Sequence, residues 1–269
     1  MISILKRYGQ GLFDLILPDT CMVCGRQLVP MEKVCCTACT IDMPFTHYKG
    51  CEGNPIERMF WGKIPIVHAN AYLHYYPHTA YAQLIKELKY NNRPNIGIYL
   101  GRLIATDLLD TNFFKDIDYI IPVPLALIRQ LSRGYNQSER IAKGIQQITK
   151  IPIDTKSVQR KRGNKKQTKT HKTERHENLK DIFSLTIACE ANKQVNLSPL
   201  QNLIPIKKEI KTTSHPLENK HILLVDDVIT TGATLLSCAK ALAVIPGIRI
   251  SILCAGVAGY KRWGARKPD

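Results

Sequence analysis

The chain has little negative charge, no long apolar run and no internal repeat. Of its 269 residues, 22 are acidic and 38 are basic, giving a net charge of +16. That balance points to anionic partners, either phosphorylated small molecules or a polyanion. No stretch of 18 or more apolar residues occurs, so no membrane-spanning helix is expected. The first twenty residues mix basic and apolar side chains, but Asp14 interrupts the apolar part and no small-residue cleavage site follows. A secretory signal is therefore not expected, and the segment reads as an amphipathic helix packing on its own protein. The hydrophobic share of 44% supports a real core. The length suits one α/β domain of about 200 residues plus a small module.

Cysteine is not scarce. Nine are present, and four fall in two CxxC pairs, Cys21/Cys24 and Cys36/Cys39, with eleven residues between the pairs. Each pair offers two thiolates from one tight turn, and Gly25 directly after the first pair eases that turn. Four soft ligands fit a closed structural zinc site with no open position for catalysis. Cys35 and Cys51 stand nearby without an assigned role. With four cysteines given to metal and nothing pointing to export, a reducing cytoplasm is the expected location.

The most specific stretch is HILLVDDVITTGAT, His221 to Thr234. An apolar run, Ile222 to Val225, reads as a buried strand. The acids Asp226 and Asp227 follow, then a turn of Thr230, Thr231, Gly232, Ala233 and Thr234, then a helical pattern. Backbone N–H groups and hydroxyls at a helix start favour a phosphate. Gly232 lets the backbone approach the anion closely. The carboxylates, as acceptors only, suit sugar hydroxyls better than phosphate. The stretch therefore reads as a site for a phosphorylated sugar.

Helical periodicity is expected across HTAYAQLIKELKY and GIYLGRLIATDLLD. DYIIPVPL reads as a buried strand over Tyr119 to Val123. RQLSRGYNQSERIAKGIQQI reads as a basic turn that becomes a helix. Its Arg129 and Arg133 can meet phosphate oxygens, and Gly134 frees the turn beside them. IPIDTKSVQR reads as a short strand leaving that helix, and RISILCAGV as a buried strand. Strands alternating with helices predict a doubly wound parallel α/β sheet, with ligands at the carboxyl ends of the strands. Residues 1–63 are expected to form the N-terminal helix and zinc module, and 64–269 the α/β domain. A basic loop over 160–178 and an insertion over 190–219 are expected within that domain.

VDDVITTGAT resembles the phosphoribosyl pyrophosphate (PRPP) signature of type I phosphoribosyltransferases. That resemblance implies that Asp226 and Asp227 hold the ribose hydroxyls. It implies that Thr230, Thr231, Gly232, Ala233 and Thr234 hold the 5′-phosphate, with Mg2+ accompanying PRPP. Together with the paired CxxC, LIKELKY, IPVPL, RGYNQSE and QTKTHKTERHENLKDIF, the chain is similar to the ComF family, from about Leu15 to Val257. The family is phosphoribosyltransferase-like and linked with natural transformation and DNA uptake. By its pattern Arg133, Gly134, Tyr135, Asn136 and Gln137 lie by the pyrophosphate. Ala126, Leu127 and Ile128 stand where family members often carry His and basic residues. The resemblance implies a phosphoribosyl ligand, with single-stranded DNA or a DNA-uptake translocase as partner. The alternative is an active transferase moving ribose 5-phosphate from PRPP to an acceptor that no residue here identifies.

From Arg160 to Arg175 half the residues are Lys or Arg, with one acid, Glu174. Nothing apolar interrupts the run, so an exposed flexible loop is expected. Three readings stand for it: a solvated loop, a flap over bound substrate and a contact to nucleic-acid phosphates. It holds no aromatic residue, so base stacking is not expected there.

Overall fold

The computed structural model describes residues 19–161, 182–186 and 215–259. The expected N-terminal helix, the basic run beyond Lys161, most of the expected insertion and the C-terminal tail lie outside these residues.

Four strands form a parallel sheet: β1 (Ala69–Tyr75), β2 (Tyr119–Pro122), β5 (His221–Ile229) and β6 (Arg249–Ala258), in the order β1-β6-β5-β2. The central pair are apolar on both faces, as a covered parallel sheet requires. A parallel bridge from Ile120 to Ile153 continues the sheet past β2. The Ile153 end of IPIDTKSVQR makes only this single bridge. The short strand expected in that stretch is β3 (Val158–Arg160), at its other end; it pairs antiparallel with β4 (Phe183–Leu185) in a separate two-stranded sheet.

Helices cover both faces. On one lie α3 (Ala80–Tyr90), α4 (Pro94–Leu108) and α6 (Gln137–Thr149). Their Leu84, Leu88, Leu100, Ile104, Ile141 and Ile145 form a core with Leu223 and Val225 of β5. On the other lies α7 (Ala233–Leu242) with the two-stranded β3–β4 sheet, where Leu235, Cys238, Val158 and Phe183 pack on Ile222 and Leu224. The doubly wound arrangement is as expected. Alternate residues of β5 feed the two cores, so one strand ties both layers together.

α4 and α6 approach so closely that only glycine fits between them. A Cβ on Gly144 would run into the carbonyl of Ile98 and the backbone of Gly101 and Arg102. A Cβ on Gly101 would run into Ile141 and Gly144 in turn.

The N-terminal module contains two short helices, α1 (Thr37–Ile41) and α2 (Pro55–Arg58). It shares the cores of the sheet domain. Cys21, Val34, Cys35, Cys36 and Met43 join the cluster of α3 and α4, while Ile56 and Phe60 join that of α7. An antiparallel bridge from Phe45 to Leu73 ties the module to edge strand β1.

Two further local readings need correction. The basic turn after β2 is a helix, α5 (Leu127–Arg133), ended by Gly134 at φ 74°. Within the expected insertion, Leu217 is fully buried in the second core.

Candidate functional site at the switch point

The chain leaves β5 through α7 toward β6. It leaves β2 through α5 and α6 toward the opposite edge. The crevice between β2 and β5 is therefore the topological switch point, where ligands of such sheets bind. The sequence-predicted residues gather around it.

Asp226 and Asp227 do not lie in a loop after the strand. β5 continues through them to Ile229, which pairs with Val257. Asp226 accepts hydrogen bonds from Ser138 Oγ at 2.9 Å and from the Asp227 N–H at 2.9 Å. Asp227 forms an ion pair with Lys89 Nζ at 3.1 Å and accepts the Val228 N–H. Ser138 stands on the first turn of α6 and Lys89 on the last turn of α3. Both acids are thus oriented from the face covered by α3, α4 and α6. Burial, then the charge on Asp227, pushes the Asp226 carboxyl up to about 7.

That shift has a consequence for stability. A carboxyl raised in the fold destabilises it at high pH. The penalty is absent below its unfolded pKa and complete above its folded one. Asp226→Asn retains an oxygen to accept both hydrogen bonds but carries no charge. The variant is expected to melt higher than the native chain near pH 8, by up to about 4 kcal/mol of stability. The gain should fade as the pH falls through 7 toward about 4. A gain equal at both ends in calorimetric melting would show that Asp226 is not held neutral.

Beyond β5 a short turn leads straight into α7. Thr230 and Thr231 are exposed, whereas Gly232 is buried at φ 74° as the N-cap of α7. No side chain caps this helix, and the Ala233 N–H makes only a long contact of 3.4 Å to Thr231 Oγ1. The first turn of α7 therefore starts without a side-chain cap, the kind of helix start that can accept an anion. A Cβ at Gly232 would sit 3.2 Å from Met59 Cε, a second reason for glycine besides its φ.

The residues after β2 divide. Arg129 is exposed on α5. Arg133 is engaged by protein: Nη1 donates to Gln137 Oε1 at 2.8 Å, and the guanidinium lies 5.3 Å from the Tyr90 ring centroid. Asn136 caps α6, accepting the Ser138 N–H at 3.1 Å and donating to the Val123 carbonyl at 3.0 Å. Its amide therefore holds Ser138 beneath Asp226. Lys89 was not singled out by the sequence, because its place beside Asp227 exists only once α3 is laid on the sheet.

The four expected metal ligands come together in the N-terminal module. The sulfurs of Cys21, Cys24, Cys36 and Cys39 lie within 4.8 Å of one another. Cys24 Sγ and Cys36 Sγ are 3.8 Å apart. A zinc with Zn–S bonds of about 2.3 Å places tetrahedral sulfurs about 3.8 Å from each other. The backbone prepares the charge. Burial works to raise the Cys21 thiol, but N–H groups of Cys24, Cys36 and Val23 lower it to about 6. Cys36 is lowered chiefly by the Cys39 N–H. Burial and the neighbouring thiols push Cys39 up. Four thiolates cannot share this space without a cation, so the donor set fits zinc. Cys35 faces inward, and burial raises its thiol to about 12, as expected of a structural residue.

Sheet order, acid pair, uncapped glycine turn and thiol cluster define a doubly wound α/β protein with a cysteine module, the class to which the motifs pointed. The particular relatives are DNA-utilization and competence proteins. The chain is 25% identical over 237 residues to the DNA utilization protein YhgH of Shigella flexneri, covering 87% of this chain and 88% of that protein. The Escherichia coli protein of the same name matches at the same identity and coverage. Competence protein F of Haemophilus influenzae is 32% identical over 162 residues, 59% of this chain and 60% of that one. These are homologues over most of the chain, in keeping with the ComF resemblance. A solved hypoxanthine phosphoribosyltransferase from Staphylococcus aureus aligns over 66% of this chain and 69% of its own, at 17% identity and a TM-score of 0.28. No family model matches the chain. Among the described residues no helix is long and apolar enough to cross a membrane.

Proposed function

We propose that the chain binds PRPP or a closely related phosphoribosyl ligand at the switch point and acts in DNA uptake. The observation that carries the first part is the placement of Asp226 and Asp227 one turn before an uncapped, glycine-started helix. In this reading the carboxylates accept hydrogen bonds from the ribose hydroxyls. The N–H groups of Ala233 and Thr234, with the hydroxyls of Thr230, Thr231 and Thr234, take the 5′-phosphate. Lys89 offsets the charge of Asp227, and burial favours a neutral Asp226, so the acid pair repels the ligand's diphosphate less than two free carboxylates would. Mg2+ accompanying the ligand supplies charge neutralisation, and the carboxylates are oxygen donors of the kind it takes. The role in DNA uptake is supported by the names of the competence and DNA-utilization relatives and by the net charge of +16.

The test is calorimetric titration of the zinc-loaded chain with PRPP and Mg2+, beside the Asp226→Asn/Asp227→Asn double variant. The native chain should bind and the double variant should lose at least tenfold in affinity, since the charged acceptor Asp227 is removed and an amide replaces each carboxyl facing the ribose. No binding by the native chain at millimolar PRPP would sink the phosphoribosyl reading. Mg2+-dependent release of pyrophosphate in the presence of an acceptor would add group transfer to binding. For the DNA role, the measure is the salt dependence of single-stranded DNA affinity and its loss on neutralising Lys165, Lys166 and Lys169 together.

A further inference from the structure

The turn from Arg133 to Ser138 turns its polar side chains onto protein. Tyr135, Gln137 and Ser138 are buried. Tyr135 Oη donates to the Leu88 carbonyl at 2.5 Å. Gln137 accepts from Arg133 through Oε1 at 2.8 Å and donates through Nε2 to the Tyr135 carbonyl at 3.3 Å. Both ends of the Asn136 amide are engaged, by the Val123 carbonyl and the Ser138 N–H.

These contacts reach the acid pair by two routes. The direct one is Ser138 Oγ, which donates to Asp226 Oδ1 at 2.9 Å. The Asp227 N–H donates to the same oxygen, while Oδ2 accepts nothing among the described residues. The indirect route runs through the last turn of α3. Tyr135 holds the Leu88 carbonyl and Arg133 lies over the Tyr90 ring, so the residues on either side of Lys89 are both fixed from this turn. Lys89 then carries its ammonium to Asp227 Oδ2 at 3.1 Å. Successive side chains of a strand point to opposite faces, so β5 alone would send the two acids apart. Both are nevertheless bonded from the side of α3 and α6. A site that reads a sugar through two carboxyls needs them held to within about 0.5 Å, by neighbours whose own side chains are locked.

We propose that Ser138 and Tyr135 are positioning residues for the acid pair. Ser138 aims Asp226 directly, Tyr135 aims Asp227 through Leu88 and Lys89, and neither touches the ligand. This rests on the reading of the crevice as a phosphoribosyl site. It ties the turn to the ribose, by way of the carboxyls, and not to the pyrophosphate beside which the family pattern places it.

The experiment uses the full zinc-loaded chain and three probes with Mg2+: PRPP, ribose 5-phosphate and inorganic pyrophosphate. Ser138→Ala should weaken the two ribose-bearing probes by the same factor, about three- to tenfold, the size of one lost hydrogen bond. Pyrophosphate, which has no ribose, should bind Ser138→Ala and the native chain alike. Ser138→Thr returns the hydroxyl and should restore the ribose-bearing probes. A larger loss for PRPP than for ribose 5-phosphate, or any loss for pyrophosphate, would overturn the assignment by placing the turn at the diphosphate. Native affinity for all three probes in Ser138→Ala would also overturn it, while leaving the phosphoribosyl site standing. If the native chain binds neither ribose-bearing probe, the site reading falls first and the assignment with it. Should Ser138→Ala fail to fold, Tyr135→Phe, which removes only the hydroxyl on the Leu88 carbonyl, must give the same split between probes.

Discussion

Stripping the metal from the four-cysteine cluster, or replacing Cys24 by Ser, will lower the melting temperature of the whole chain by about 10 °C or more. Two facts set that scale. Structural zinc binding to small modules is worth about 10–16 kcal/mol, comparable to the stability of an entire domain. Here the module has no core of its own to lose in isolation. Cys21, Cys35 and Cys36 lie in the same cluster as Leu84 and Leu100 of the sheet domain. Hydrogen bonds cross the same boundary, from Tyr81 Oη to the Cys39 carbonyl at 3.1 Å and between Thr40 Oγ1 and Tyr99 Oη at 2.8 Å. Zinc content by elemental analysis and melting with and without chelator check this. A chain that loses its metal and melts unchanged would show that the cluster is not structural.

The second large effect concerns the α4–α6 contact. Gly144→Ala should destabilise the fold by about 3 kcal/mol, and Gly144→Val by more. A chain of this length then loses about 6–12 °C in melting temperature. Overpacked cores are usually relieved when a side chain swings aside. At Gly144 the atoms that a Cβ would meet belong to backbone, in Ile98, Gly101 and Arg102, so relief requires the two helices to separate. Separation would also draw Ser138, on the first turn of α6, away from Asp226. The check is paired: melting of Gly144→Ala together with its PRPP affinity. Full stability in that variant would mean that the helices have room which the backbone contacts deny.

How much of this was legible beforehand follows from the range of each interaction. The zinc ligands and the acid pair lie in short local strings, so spacing alone exposed them. The sequence pattern ends the strand before the acids, because carboxylates are poor strand residues. Pairing of Val228 with Gly256 and of Ile229 with Val257 overrides that preference. α5 carries no core-facing stripe to mark it as a helix, since its Leu127, Ile128 and Leu131 are exposed. Gly97 and Gly101 stand four apart in plain view, but their meaning appears only when α6 lies across them. Lys89 and Ser138 share this limit. Each gains its role from a neighbour more than twenty residues away in the chain.

One short helix joins two chemistries. Near its start, Tyr81 of α3 grips the cysteine module, and near its end Lys89 grips Asp227, about 12 Å further along the axis. Whatever loosens one end of such a rod changes the free energy at the other, and linkage makes the exchange mutual. If the crevice takes the phosphoribosyl ligand proposed above, filling it would tighten the hold on a metal at the cysteines, and emptying the cysteine cluster would weaken the hold on that ligand. The two places would then answer to one another through a single helix of eleven residues.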